Sequence, residues 1–178
     1  MGSDGKSVTS RLDPCRKIHC EEWFYEKENK NLCGAALICD EAAVGRKTFY
    51  RNFELREDVI DFWLDLRCGE CREVLLPVPT EEQLYHYCIF LKKHMDVLIA
   101  LYQNGLHPMV EEKFSVFMPY TMPRWSKDPV EQEYRSQYII AGIDAIIRVW
   151  VTRGFQESVE EISEIVKRAH QQQIPLME

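Results

Sequence analysis

Long apolar runs are missing from this sequence. No stretch approaches the roughly 18 consecutive apolar residues that a membrane-spanning helix needs, although 46% of the residues are hydrophobic. Residues 1–10 also lack the apolar segment of a secretory signal. We therefore expect a cytoplasmic protein with no membrane partner, and enough apolar surface for a folded core.

Motifs for enzymatic chemistry are missing as well. The sequence contains no glycine-rich phosphate loop, no GxSxG and no HExxH. An enzyme needs a nucleophile, a base and oxyanion donors that converge, and no pattern here predicts such a set. We expect a protein that is not an enzyme and needs no cofactor.

The seven cysteines give a weaker pattern than their number suggests. Cys68 and Cys71 form a CxxC, but a zinc ribbon needs a second pair and only Cys88 follows. The CxxC continues a helical apolar period: Val59, Phe62, Trp63 and Leu66. We expect core or helix-surface cysteines and no metal site, with a thiol sensor at Cys68 and Cys71 kept as an alternative.

No stretch alternates polar and apolar residues for long enough to indicate a β-strand, so the fold is predicted to be all helical. Capping patterns occur at Asp13-Pro14, Thr80 to Gln83, Asp128-Pro129 and Ser158 to Glu161. Helix stops occur at Asn104-Gly105 and Gly154. The predicted helices span 14–28, 35–42, 46–53, 54–76, 81–103, 108–118, 129–152 and 158–170.

The stretch from Gly34 to Arg56 is the most informative part of the chain. Its first half has apolar residues at helical spacing, and Gly45 offers the unusual backbone angles of a sharp turn. In the second half Phe49 and Phe53 share one face. Successive helical residues lie about 100° apart, so Lys47, Tyr50 and Arg51 project away from the aromatic pair, and Arg46 lies at the helix start beside them.

This positive charge is local. Between Arg46 and Arg56 there are four cations and one acidic residue, Glu54, in a chain whose net charge is −7. The rest of the chain is acidic and would repel DNA. One basic helix that follows another helix at an angle is typical of helix-turn-helix proteins, whose second helix enters the major groove. The alternative is a basic face that is merely solvated.

Residues 38–53, ICDEAAVGRKTFYRNF, followed by Arg56-Glu57-Asp58-Val59, resemble the DNA-binding signature of the TetR family of transcriptional regulators. The resemblance includes Thr48-Phe49-Tyr50 and a basic residue followed by acidic residues at the start of the next helix. It implies an N-terminal three-helix helix-turn-helix domain and the following DNA contacts: Gly45, Arg46, Lys47, Thr48, Tyr50, Arg51 and Arg56. Where the family has Thr or Ser, and later Gly, this chain has Cys33-Gly34 and Ala43, so a side-chain cap worth about 1 kcal/mol is lost.

The C-terminal third gives a second, less specific resemblance. Residues 138–154 and the helix after them resemble the TetR-family dimerisation pair, which implies a homodimer. The candidate interface residues are Ile139, Gly142, Ile143, Ile146, Ile162, Ile165, Val166 and Ala169. We accordingly expect a DNA-binding domain at 1–54, with a mobile N-terminal arm, and a helical domain for effector binding and dimerisation at 55–178.

The family resemblance also implies a small-molecule effector of unknown identity, which would release a repressor from a palindromic operator or retain it there. The candidate pocket residues are Tyr85, Phe90, His94, His107, Trp125, Tyr134 and Tyr138. Two alternatives stay open: a regulator switched through Cys68 and Cys71, and a degenerate family member that is a helical dimeric binding module without DNA binding.

Overall fold

The computed structural model describes residues 34–117, 124 and 126–171. The predicted helix 14–28 and the candidate Trp125 lie outside the described residues. The fold is all helical, and no strand occurs in the described part of the chain. The helices are α1 Ala35–Glu41, α2 Arg46–Asn52, α3 Arg56–Leu75, α4 Thr80–Lys93, α5 Met95–Gln103, α6 His107–Phe117, α7 Pro129–Thr152 and α8 Val159–Gln171.

The chain divides into two compact units, Met1–Val59 and Ile60–Glu178. The boundary expected from the sequence, between 54 and 55, lies a few residues before this division. Among the described residues, none of the helices combines the length and the apolar character needed to cross a bilayer.

In the second unit α4 packs against α8, α5 packs against α7, and α7 also contacts α8. Each of these helices places large apolar side chains between the others, such as Leu91, Leu101, Ile140 and Val166, which are almost fully buried. Trp150 is completely buried, and its indole Nε1 donates to the carbonyl of Glu157 at 3.0 Å. Pairing this donor avoids the cost of a buried unsatisfied N–H.

The helix predicted over 81–103 is wrong in one respect, because it breaks at His94 into α4 and α5. The His94 backbone has φ −107° and ψ 22°, and its N–H bonds the carbonyl of Leu91, three residues back. The break lets α4 and α5 pack on different partners, α8 and α7. It also changes the phase of the apolar face, so that Met95, which continues the helical spacing of Leu84, Cys88 and Leu91 in the sequence, is exposed.

The buried stripe of α3 also differs from the expected one. Leu66 is exposed, while Ile60 and Leu64 are almost completely buried beside Trp63. Four-residue spacing from Ile60 to Leu64, continued at Cys71 and Leu75, defines the face that packs inward.

Two of the predicted N-terminal caps are confirmed. The Asp128 side chain accepts from Val130 N at 3.0 Å with Pro129 at the first helical position. Ser158 and Glu161 form a reciprocal capping box, with bonds of 2.8 and 3.1 Å. The box predicted at Thr80 is wrong.

At that position Pro79 is the N-cap of α4, and it forms no side-chain capping bond. Gln83 Nε2 instead donates backwards to the carbonyls of Leu75 and Val78, at 3.2 and 3.1 Å. Because these carbonyls end α3 and form the turn, Gln83 joins the two helices instead of capping one.

Polar side chains also connect helices elsewhere in the second unit. Lys113 Nζ on α6 lies 2.9 Å from Asp61 Oδ1 and 2.7 Å from Asp65 Oδ1, both on α3. Arg148 on α7 reaches Glu111 on α6 at 2.8 Å. The Tyr85 hydroxyl on α4 donates to Glu160 on α8 at 2.8 Å.

Ionisation of the Asp144 carboxyl group on α7 destabilises the folded state. Burial, and then the nearby Glu111 carboxylate, raise its pKa to about 6, against a smaller opposing effect of Arg148. The folded state therefore holds a proton that the unfolded state releases between about pH 4 and 6, and this contribution to stability is lost as pH rises through 6.

We predict that Asp144→Asn stabilises the protein at pH 7. The full pKa shift corresponds to roughly 3 kcal/mol, which partial exposure to solvent reduces to about 1–2 kcal/mol. Urea unfolding at pH 7 and pH 4.5 checks this prediction. The gain should be larger at pH 7, and an equal gain at both values would contradict the assignment.

Candidate nucleic-acid interface

The candidate interface is the exposed face of α2, which we call the basic face: Arg46, Lys47, Tyr50 and Arg51. All four side chains are exposed. Within the described residues no ion pair engages Arg46, Lys47 or Arg51, whereas Arg56, further along the chain, is paired with Glu57. The cations of this face are therefore available to phosphates or base edges.

Two phenylalanines fix the orientation of the basic face. Phe49 is buried with Ile38 and Cys39 of α1, and its ring centroid lies 5.6 Å from that of Phe53. With this side of α2 packed inward, helical geometry directs Lys47 and Arg51 outward, and Arg46 is exposed at the first position of the helix. The inward and outward faces agree with those expected from the sequence.

Tyr50 belongs to the outward face, and its ring packs against the ring of Phe49. Its ring stands edge-on to Phe49 with centroids 5.2 Å apart, and 59% of the residue is exposed. Its hydroxyl forms no hydrogen bond within the described part of the chain. A rigid ring with an open hydroxyl suits a contact to a phosphate oxygen.

The turn between α1 and α2 differs from the expectation. Gly45 was expected to take the unusual backbone angles, but it has φ −68° and ψ 142°, which any residue can adopt. Ala43 instead has φ +50°, a left-handed conformation that is costly for a residue with a Cβ. The TetR-like pattern has a glycine there, so the departure seen in the sequence coincides with the strained position.

We predict that Ala43→Gly stabilises the first unit by about 1 kcal/mol, because glycine adopts this conformation without the Cβ penalty. Thermal or urea unfolding measures the change. Ala42→Gly is a matched control, since Ala42 has ordinary helical angles and should lose stability on the same substitution.

The other residues implied by the resemblance are less open. Thr48 is half-buried, and its carbonyl accepts from the Asn52 side chain at 2.7 Å. Arg56 Nε lies 2.7 Å from Glu57 Oε1, so a phosphate would have to compete with this carboxylate. Gly34 starts α1 without a side-chain capping bond, as expected from the absence of Thr or Ser.

The start of α3 is fixed by an acidic side chain. Asp58 Oδ2 accepts from the backbone N–H groups of Glu54 and Leu55, at 2.7 and 2.8 Å. These bonds hold the segment between α2 and α3 in one conformation. Arg56, at the start of α3, therefore has a fixed position relative to this segment.

The candidate effector residues are not gathered at one place. Phe90 and His94 are buried with ring centroids 4.8 Å apart. Tyr85 bonds Glu160 at the surface, and His107 lies against Tyr102 with ring centroids 5.7 Å apart. Tyr134 and Tyr138 are exposed on α7.

The candidate interface residues of α7 and α8 fall into two groups. Ile143, Ile162 and Val166 are buried within the protomer and have almost no surface left for a partner. The remaining residues keep some accessible surface: Ile139, Gly142, Ile146, Ile165 and Ala169.

A different set of α7 residues forms a continuous exposed stripe that the sequence reasoning missed. Its members follow each other three or four residues apart: Val130, Tyr134, Tyr138, Ala141, Ala145 and Val149. Tyr134 is 75% exposed. A helix that buries one apolar face in its own core and exposes a second one, over about 28 Å of length, presents an interaction surface.

The thiols of the CxxC are poorly suited to redox sensing. Burial raises the pKa of Cys68 to about 11 and that of Cys71 to about 12, with further contributions from Asp65 and from Cys68 respectively. Reactive cysteines are thiolates near neutral pH. In the described residues, no group of three or more His, Cys, Asp or Glu side chains is placed to hold a metal ion.

Comparison with known proteins supports the fold. The chain is similar in structure to the dihydroxyacetone kinase operon activator DhaS, with a TM-score of 0.56 over 96% of this chain and 98% of that one, at 16% sequence identity. No protein-family model and no curated protein sequence matches the chain. At this sequence identity the similarity shows only that the two proteins share an all-helical fold.

Proposed function

We propose that this protein is a sequence-specific DNA-binding transcriptional regulator of the TetR type, with a DNA-binding domain at 1–54 and an effector and dimerisation domain at 55–178. The observation that carries the proposal is the basic face of α2. It presents cations that no described residue pairs, at the surface of an acidic chain and on a helix that Phe49 anchors to α1. The solved structure of a transcriptional activator with this fold adds support.

In the proposed complex α2 lies in the major groove. Arg46 and Lys47 lie in its first turn, where a recognition helix contacts base edges, and Arg51 and Tyr50 contact phosphates. Gly45 lets the backbone approach the DNA closely. The repressor role remains a prediction from the resemblance in sequence.

The exposed stripe of α7 supports a homodimer. Two copies of the stripe placed against each other would cover Tyr134, Tyr138 and Val149, which are more than half exposed in the protomer. A two-fold dimer presents two α2 helices to two half-sites, and so gains affinity and selects a palindromic operator.

The proposal is tested by measuring duplex binding of Arg46→Ala and Tyr50→Phe at several salt concentrations. Both side chains are exposed, so neither change should lower the melting temperature by much, while both should weaken binding. The three cations of the basic face, six in a dimer, set a limiting slope of about −5 for log K against log salt.

Glu133→Gln is a suitable control, since this exposed residue of α7 lies away from the basic face along the chain. Normal binding by Arg46→Ala, or a melting temperature for Tyr50→Phe lowered like that of a core mutant, would contradict the assigned roles.

A further inference from the structure

A groove runs between α3 and α4 in the second unit. Two contacts fix the antiparallel pairing of these helices: Gln83 Nε2 bonds the carbonyl of Leu75, and the rings of Trp63 and His94 lie 5.9 Å apart. The groove has a volume of about 400 Å³. This is within the range of small-molecule sites in proteins.

The floor of the groove is apolar. Phe90 is buried at its base, and Val74 and Ile89 line it while remaining more than 40% exposed. Two large aliphatic side chains exposed in an open groove are costly to hydrate, and a ligand with an apolar body would cover them.

Opposite charges stand at the two ends of the groove. Glu73 lies at the end near the turn, next to His86, and Lys93 lies at the other end. Neither Glu73 nor Lys93 forms an ion pair with a described residue, whereas Glu70 between them is paired with Arg67 at 2.8 Å. Seven residues of helix separate His86 from Lys93, which corresponds to about 10 Å.

We propose that this groove binds a small amphipathic zwitterion with an apolar body. Its ammonium group lies at Glu73, its carboxylate lies at Lys93, and its apolar part covers Val74 and Ile89. An extended tripeptide has the required length, about 10 Å. This binding site lies within the second unit and does not depend on DNA binding.

The test uses the tripeptide Leu-Phe-Leu in four forms: with free ends, N-acetylated, C-amidated, and blocked at both ends. NMR titration of the full chain without DNA measures each affinity. The free-ended form should bind tightest, and blocking either end should weaken binding about two- to fivefold, as expected for exposed ion pairs.

Two variants assign the ends. Glu73→Gln should abolish the loss caused by acetylation but keep the loss caused by amidation, and Lys93→Gln should do the reverse. Ile89→Ser should weaken all four forms alike, and because Ile89 is exposed the change should leave the fold intact. Melting curves of each variant establish that it folds.

Equal affinities for the four forms would overturn the proposal, as would the absence of saturable binding or shifts confined to residues outside the groove. A chain that binds the tripeptide as described but fails to bind DNA would contradict the proposed function and leave this site standing.

Discussion

Gly45→Asp is expected to weaken specific DNA binding on the order of 100-fold without destabilising the protein. Gly45 is the N-cap of α2 and has extended backbone angles that Asp adopts readily. A Cβ at this position would meet no described atom within 4 Å. Asp is a better N-cap than Gly, so the free protein should keep or slightly raise its melting temperature.

In the proposed complex the same position faces a phosphate, and the new carboxylate is repelled. At about 1.4 kcal/mol for each half-site the loss is tenfold per site and on the order of 100-fold for a dimer. Gly45→Asn is the matched control, because it has the same shape and capping ability without the charge.

Fluorescence anisotropy with a labelled operator compares the two variants. Asn should retain much more affinity than Asp, and the difference should shrink at high salt. Equal binding by Asp and Asn would show that no phosphate lies near Gly45, and equal melting temperatures establish that the comparison concerns binding.

Ala141→Glu is expected to convert a dimer into monomers and to reduce operator affinity on the order of 100-fold or more, because the two half-sites would no longer be bound as a unit. Ala141 lies in the middle of the exposed stripe of α7 and is itself exposed. A carboxylate there would be buried without a partner in the two-fold interface.

Sedimentation velocity and operator binding are measured on the same preparations. Glu133→Lys is the control, since it changes the charge of an exposed α7 residue that lies off the stripe. A dimer that survives Ala141→Glu would show that the stripe is not the interface, and strong operator binding by a proven monomer would contradict the requirement for pairing.

Much of the α1 to α2 region could be predicted from the sequence, because local rules decide it. Phe49 and Phe53 are four residues apart, and Lys47 and Arg51 occupy the opposite side by helical geometry alone. The left-handed residue could not be predicted in the same way. Gly45 was the obvious choice for unusual angles, yet the hydrogen bonds of Ala43 and Val44 to α1 place the turn at Ala43.

The break at His94 could not be predicted because nothing in the local sequence marks it. Apolar residues continue at helical spacing through it, without proline or glycine. The break follows from packing, since α4 and α5 contact different helices. Tertiary contacts of this kind override local propensity.

The exposed apolar face of α7 could not be identified from the sequence, although the sequence contains its pattern. Ile140, Ile143 and Ile147 point into the protomer core, and Tyr134 and Tyr138 point away from it. Both faces are apolar, so periodicity alone does not show which one is internal. Burial in the folded chain distinguishes them.

Selection of bound fragments from a pool of random duplexes tests the central claim most directly. We predict enrichment of one motif with two-fold symmetry and half-sites about one helical turn apart. Binding to that motif should be strongly weakened in Gly45→Asp and in Ala141→Glu. Recovery of fragments without any shared sequence, or of a motif bound equally well by Gly45→Asp, would contradict the proposal that the basic face of α2 reads DNA.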